Sequence, residues 1–224
     1  KPELAAVWAG RARRLAAAIR AAFWDETRGM IADTPRKTSF SEHAVALSIV
    51  TACLPSAMRE RSFAALTTAP DLARASYMLH LVFAAYFRYG RGDLFLKKLD
   101  LWRGYVGLGL RCPLESPVFP RSDCHAFAST PLYHFHAGLA GVSPAAPLFA
   151  KVRVAPAPGP LTRLRARTPH PKGFVETDLR FEGTGAKGEV VLPEGVTGLF
   201  VWRGRETPLG PGRNRVGATG GRGE

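Results

Sequence analysis

The chain has 224 residues, 46% of them hydrophobic, and a formal net charge of +13, which is enough apolar content for one large folded domain or two small ones. No run of about 18 uncharged apolar residues is present, which argues against a membrane span, and no basic segment leads into an apolar stretch and a cleavage site, which favours a cytoplasmic setting. Residues 1–142 hold 18 basic and 11 acidic side chains and 143–224 hold 13 and 7, so the excess charge forms no clustered footprint for specific nucleic-acid binding.

From Glu3 to Trp24, Leu4, Trp8, Leu15, Ile19 and Phe23 recur at roughly helical spacing with arginines between them, predicting an amphipathic helix. The chain already reads as helix at Lys1, so an upstream segment is expected. Asp25 to Gly29 makes a turn, and Ser39 with Glu42 three residues later has the form of a capping box before the apolar run Ala44 to Leu54. Pro55 stops that helix. Shorter helical patterns follow at 57–67 and 72–89, and Asp93 can cap another that carries Leu99, Trp102 and Val106. Residues 110–122 contain three prolines and no period, which predicts a loop. Ser122 is then a plausible N-cap for a helix to about Leu139, kinked near Pro131.

From about Leu148 the period falls to two, at Val152 and Val154, Leu164 and Ala166, Val175 to Phe181, Val190 and Leu192, and Phe200 and Trp202. Short strands between Gly- and Pro-containing turns have the composition of a β-sandwich. Arg163, Arg165 and Arg167 alternate along one strand face and read as solvated exterior. The expected organisation is a helical portion at 1–143, a sandwich at 144–216 and a Gly-rich disordered tail at 217–224.

The informative stretch for chemistry is Arg111-Cys112-Pro113-Leu114-Glu115-Ser116-Pro117 followed by Arg121-Ser122-Asp123-Cys124-His125-Ala126-Phe127. It sets a carboxylate in an irregular loop ahead of a helix start, with His125 expected in the first turn at the same rim. Cys53, Cys112 and Cys124 form no CxxC pair and are odd in number, fitting reduced thiols better than a disulfide scaffold, with a Cys112–Cys124 bridge as the alternative. His134 and His136 stand two apart, a poor spacing for zinc on a helix, and no acidic loop suits calcium, so neither metal nor cofactor is expected.

Taken in order, the segments Ala22-Phe23-Trp24-Asp25 to Arg28-Gly29-Met30, Ser41-Glu42-His43-Ala44, Leu99-Asp100-Leu101-Trp102, Leu114-Glu115-Ser116-Pro117, Ser122 to Phe127, Pro131-Leu132-Tyr133-His134, Gly138 to Val142, Val152 to Pro156 and Leu192-Pro193-Glu194-Gly195 resemble successive landmarks of bacterial α-L-rhamnosidases. The resemblance implies a mainly α plus β fold. It comprises the C-terminal half of an α/α six-hairpin toroid, followed by a small antiparallel β-sandwich.

It further implies an inverting hydrolase of terminal α-L-rhamnosyl linkages, whose acid and base carboxyls stand roughly 6.5–9.5 Å apart to admit water. Glu115 matches the general base and His125 the histidine that binds sugar hydroxyls, while Phe127, Trp102 and Trp24 are candidates for aromatic contact with the sugar. The family's general acid lies in an acidic motif on earlier helices that has no counterpart here. The resemblance therefore implies that the missing barrel segment acts in cis or in trans, and that the 224 residues alone are inactive or nearly so. Cys112 stands where threonine is usual and Phe127 where tryptophan is usual. The alternative is a non-catalytic carbohydrate-binding or remnant module of such an enzyme.

Overall fold

A computed structural model describes residues 2–74 and 76–218. The chain divides into two compact units, one formed by residues 1–88 and 110–129, the other by 89–109 and 130–224. Neither unit is a continuous stretch, and the helices between 92 and 107 group with the strands.

In the first unit, α1 (Pro2–Phe23) is followed by a two-residue ribbon of β1 (Trp24–Asp25) and β2 (Met30–Ile31). Gly29, at φ 65, closes the turn between them, and its amide donates to the Asp25 carbonyl at 2.9 Å. Next come α2 (Glu42–Val50), α3 (Ser56–Thr68), a 3₁₀ turn (Ser76–Met78) and α4 (Leu79–Arg88). Val45 and Ile49 of α2, Phe63 and Leu66 of α3, and Val82, Phe83 and Tyr86 of α4 are buried. The rings of Phe63 and Tyr86 meet edge to face, with centroids 6.4 Å apart.

The cap of α2 differs from the sequence reading. Ser41, in extended conformation, is the N-cap and accepts from the Ala44 amide at 3.3 Å, whereas the Ser39 carbonyl is taken by the Asp33 amide at 2.9 Å. Ser39 is thus occupied by a strand-like pairing, and the helix starts two residues later. The segment expected to be one helix over 72–89 is helical only from Ser76, because Ala73 pairs with Phe40 and Glu42 through backbone hydrogen bonds.

The second unit opens with α5 (Gly92–Lys98) and α6 (Asp100–Gly107), separated at Leu99, then α7 (Pro131–His134), which runs into a π-helical turn at Phe135–Leu139. Asp93 lies inside the first turn of α5 paired with Arg91, not at its cap. The strands are β3 (Val142–Pro144), β4 (Lys151–Val154), β5 (Arg163–His170), β6 (Gly173–Glu182), β7 (Gly185–Leu192), β8 (Thr197–Trp202), β9 (Arg205–Leu209) and β10 (Gly212–Ala218). They form two four-stranded sheets, ordered β10-β7-β6-β5 and β3-β4-β8-β9. Phe181 of β6 and Trp202 of β8 join the two, their ring centroids 5.3 Å apart, and the Trp202 indole donates to the Thr184 carbonyl at 2.8 Å.

The expectation of wholly antiparallel pairing is corrected at one place: β4 pairs with β8 in parallel, because the chain between them leaves to build β5, β6 and β7. Pro144, Pro169 and Pro208 all sit on edge strands, where a missing amide hydrogen breaks no ladder. Gly217 and Ala218, read as the start of the tail, pair with Lys187 and Ala186 as the end of β10. The remainder of that expected tail, 219–224, lies outside the described residues. No helix among the described residues is long and apolar enough to cross a membrane.

Candidate active site

The loop between α6 and the 3₁₀ turn at Ala126–Ser129 doubles back on itself. The Glu115 amide donates to the Ser122 carbonyl at 3.0 Å and the His125 amide to the Pro113 carbonyl at 2.9 Å, so 113–115 and 122–125 run as two paired limbs. Three prolines keep the segment out of helix, and the paired limbs satisfy backbone groups that would otherwise be orphaned. The Ser76 hydroxyl, itself buried, donates to the Leu114 carbonyl at 3.2 Å and to the Glu115 carbonyl. Between the limbs the chain turns through Phe119, which is 93% exposed and held at φ 49. A bulky residue in that backbone region is strained, and such strain is concentrated where a loop is held in one shape.

Glu115 is only 7% exposed. Its carboxylate meets the Arg121 guanidinium at two points, Nη2 to Oε1 at 2.5 Å and Nε to Oε2 at 3.3 Å. The hydrogen bond from Arg121 is the main influence holding the Glu115 carboxyl below its ordinary value. Partial desolvation opposes it, and the nearby His125 adds a smaller lowering. Glu115 is thus a carboxylate throughout the neutral range.

His125 lies in the limb just before the 3₁₀ turn, not in a first helical turn. The Ser122 cap expected for a long helix is replaced by limb pairing, since its carbonyl is bound by Glu115. The His125 imidazole is flanked by two rings, Tyr77 at 5.7 Å edge to face and Phe127 at 5.9 Å. Phe127 is 75% exposed, an apolar surface open to solvent.

The structure therefore brings Glu115, His125 and Phe127 together and adds Arg121, Tyr77 and Ser76, which sequence reasoning did not select. Arg121 had a signal, as the cation six residues after the carboxylate in a proline-bounded loop. Ser76 and Tyr77 had none, because they are about 38 residues distant in the chain and are brought in by folding.

The other two aromatic candidates are less open than Phe127. Trp24 is 7% exposed in a cluster with Ile31 and Leu54, its indole N–H donating to Glu26 at 2.6 Å and the Arg61 guanidinium 5.3 Å from its ring. A ring so enclosed offers no face to a sugar. Trp102 is half-buried on α6 in the second unit. His136 and His170 are both structural: His136 Nδ1 lies 3.0 Å from Thr168 Oγ1, and His170 donates from Nε2 to the Phe149 carbonyl at 2.9 Å while Nδ1 accepts from the Lys172 amide. Arg163 and Arg165 pair with Asp178, and Arg167 with Glu176, on an exposed sheet face.

The loop thus sets a carboxylate held below its ordinary value near an imidazole and an exposed aromatic ring, an arrangement able to accept a proton. The chain has the fold of α-L-rhamnosidases over a part of their length. It superposes on α-L-rhamnosidase from Aspergillus terreus with a TM-score of 0.80 at 16% identity, covering 97% of this chain and 28% of that one. It matches α-L-rhamnosidase from Streptomyces avermitilis complexed with L-rhamnose at 0.74 and 18%, covering 92% and 23%. A GH78 family rhamnosidase of Bacillus sp. GL1 matches at 0.66 and 23%, covering 81% and 21%. The chain thus spans about a quarter of the length of these enzymes. No family model and no curated protein sequence matches it.

Proposed function

We propose that the chain is the base-bearing part of a glycoside hydrolase of the inverting α-L-rhamnosidase type, acting on terminal α-L-rhamnosyl linkages when a further barrel segment is present in cis or in trans. In this reading the helices are the later part of a six-hairpin barrel and the two sheets a sandwich. The observation that supports it is the buried, arginine-held Glu115 carboxylate beside His125, in a chain with the rhamnosidase fold.

Inversion needs a carboxylate that accepts a proton from water as that water attacks the anomeric carbon from the face opposite the leaving group. Arg121 holds the Glu115 carboxyl below its ordinary value, which extends the proton-accepting form to lower pH. Two guanidinium N–H groups and the Arg121 backbone amide engage the Glu115 carboxylate, which has about four lone-pair sites and so keeps capacity for the water. His125 binds sugar hydroxyls, and Phe127 presents an apolar face to the ring in place of an indole, without the indole's N–H donor.

Protonation of the leaving oxygen falls to an acid on the further segment. General acid catalysis is worth about 10²–10⁴-fold, so the 224 residues alone turn over slowly or not at all. The test is hydrolysis of an aryl α-L-rhamnoside by the chain joined to or mixed with that segment. Glu115→Ala should lower turnover at least about 100-fold with an unchanged circular dichroism spectrum, and near-full turnover would refute the assignment.

A second reading is a non-catalytic carbohydrate-binding remnant of such an enzyme. Binding of L-rhamnose without turnover in the presence of the complementary segment would select it.

A further inference from the structure

We infer that Cys112 and Cys124 form a redox-active dithiol, and that a small-molecule disulfide converts it into a covalent clasp at the base of the Glu115 loop. The two sulfurs are 2.8 Å apart. Their chain neighbours, Pro113 and His125, are already joined across the limbs by a 2.9 Å backbone hydrogen bond. Closing to a disulfide of about 2.05 Å requires movement of under about 1 Å, so the paired limbs stay in register. Cys124 is exposed and Cys112 half-buried, which gives a small oxidant access.

The Cys124 S–H donates to the Cys112 sulfur, and this hydrogen bond pushes the Cys124 thiol up. Oxidation therefore quickens as pH rises through and above the ordinary thiol range. Cys53 is separate from the pair, packed against the Trp24, Ile31 and Leu54 cluster with its S–H directed at the Ser48 carbonyl at 3.7 Å.

The chemistry is thiol–disulfide exchange. One cysteine thiolate attacks a sulfur of the small disulfide, whose S–S bond breaks and releases one thiolate that takes up a proton. The second cysteine then attacks the resulting mixed disulfide and releases the second small thiol. The two cysteines are oxidised, and the small disulfide is reduced to two thiols. The clasp ties together the limbs that carry Glu115 and His125, and neither its formation nor its test requires those residues to be catalytic.

The test places the full chain in graded mixtures of oxidised and reduced glutathione and follows intact mass and peptide maps. The expected result is loss of two hydrogens, a Cys112–Cys124 cross-link and a free Cys53, unchanged in Cys53→Ser. The equilibrium constant for the cross-link should be at least about tenfold larger in the folded chain than in the urea-unfolded chain. In Cys112→Ser, Cys124 should collect a glutathione adduct instead. Adducts on both cysteines of the unsubstituted chain without a cross-link, or equal pairing in folded and unfolded chains, would overturn the inference. The folded-against-unfolded comparison uses no variant, so misfolding of Cys112→Ser leaves it decisive.

Discussion

At the scale of single residues, the proposed chemistry rests on the ion pair between Glu115 and Arg121. A carboxylate enclosed to this degree is disfavoured as an ion unless a partner compensates, and here the partner is 86% exposed on its own side chain while the carboxylate is not. Water therefore reaches the cation more freely than the anion. Because the Glu115 carboxyl is held below its ordinary value, the pair contributes stability that is present above the unfolded carboxylate value of about 4.3 and is lost as pH falls through the lower, folded one. Replacing Arg121 by Ala removes the main lowering influence. The acid limb of the pH–rate profile of the complete enzyme should then move to higher pH, with turnover at neutral pH little changed. An unmoved acid limb would exclude Arg121 as the group that sets the ionisation of Glu115.

At the scale of elements, the loop owes its form to groups outside itself. Ser76 donates to two loop carbonyls from a buried position. Ser76→Ala leaves them short of a donor, and the expected loss is about 1–3 kcal/mol of unfolding free energy, measurable by urea denaturation, with faster proteolysis within 113–123. A comparable constraint lies between the helical turns and β3 of the second unit, where Gly141 has φ 69 and an added Cβ would lie 2.0 Å from the Ala155 carbonyl oxygen. Gly141→Ala should cost at least about 2 kcal/mol, from the left-handed backbone and the contact with fixed main chain together.

The same scale shows what was legible in the sequence. Change of period from helical to two located the passage from helices to sheets, because alternation along β5 and β6 reflects one buried face. Glu115, His125 and their loop were legible from the prolines and from the ordered resemblance. β3, β9 and β10 gave no such signal: the first two are short edge strands containing proline, and β10 is dominated by Gly and Arg. The Ser41 cap was obscured by a competing Ser39, and only the backbone pairing of Ser39 distinguishes them. Ser76 and Tyr77 were not legible, since nothing local marks a residue that reaches a site about 38 positions away.

At the scale of the molecule, the proposed part-barrel reading bears on the surface of α1. The chain matches rhamnosidases over about a quarter of their length, and α1 buries none of its 22 residues. Leu4, Val7, Trp8 and Leu15 are each at least half exposed on it. Ile19 and Phe23 near its end pack against the first unit's apolar cluster. An apolar stripe of this kind associates in water. Light scattering on the isolated chain should therefore show self-association that is reduced in a Trp8→Glu, Leu15→Glu double variant. A monodisperse monomer would count against the part-barrel reading.

The central claim concerns the role of Glu115, and chemical rescue tests it most directly. With the complementary barrel segment supplied, Glu115→Ala should be nearly inactive on an aryl α-L-rhamnoside. Azide should restore turnover by entering in place of the base-activated water, yielding a rhamnosyl azide of inverted anomeric configuration. Activity of Glu115→Ala equal to that of the unsubstituted enzyme, or a rescued product of retained configuration, would contradict the account.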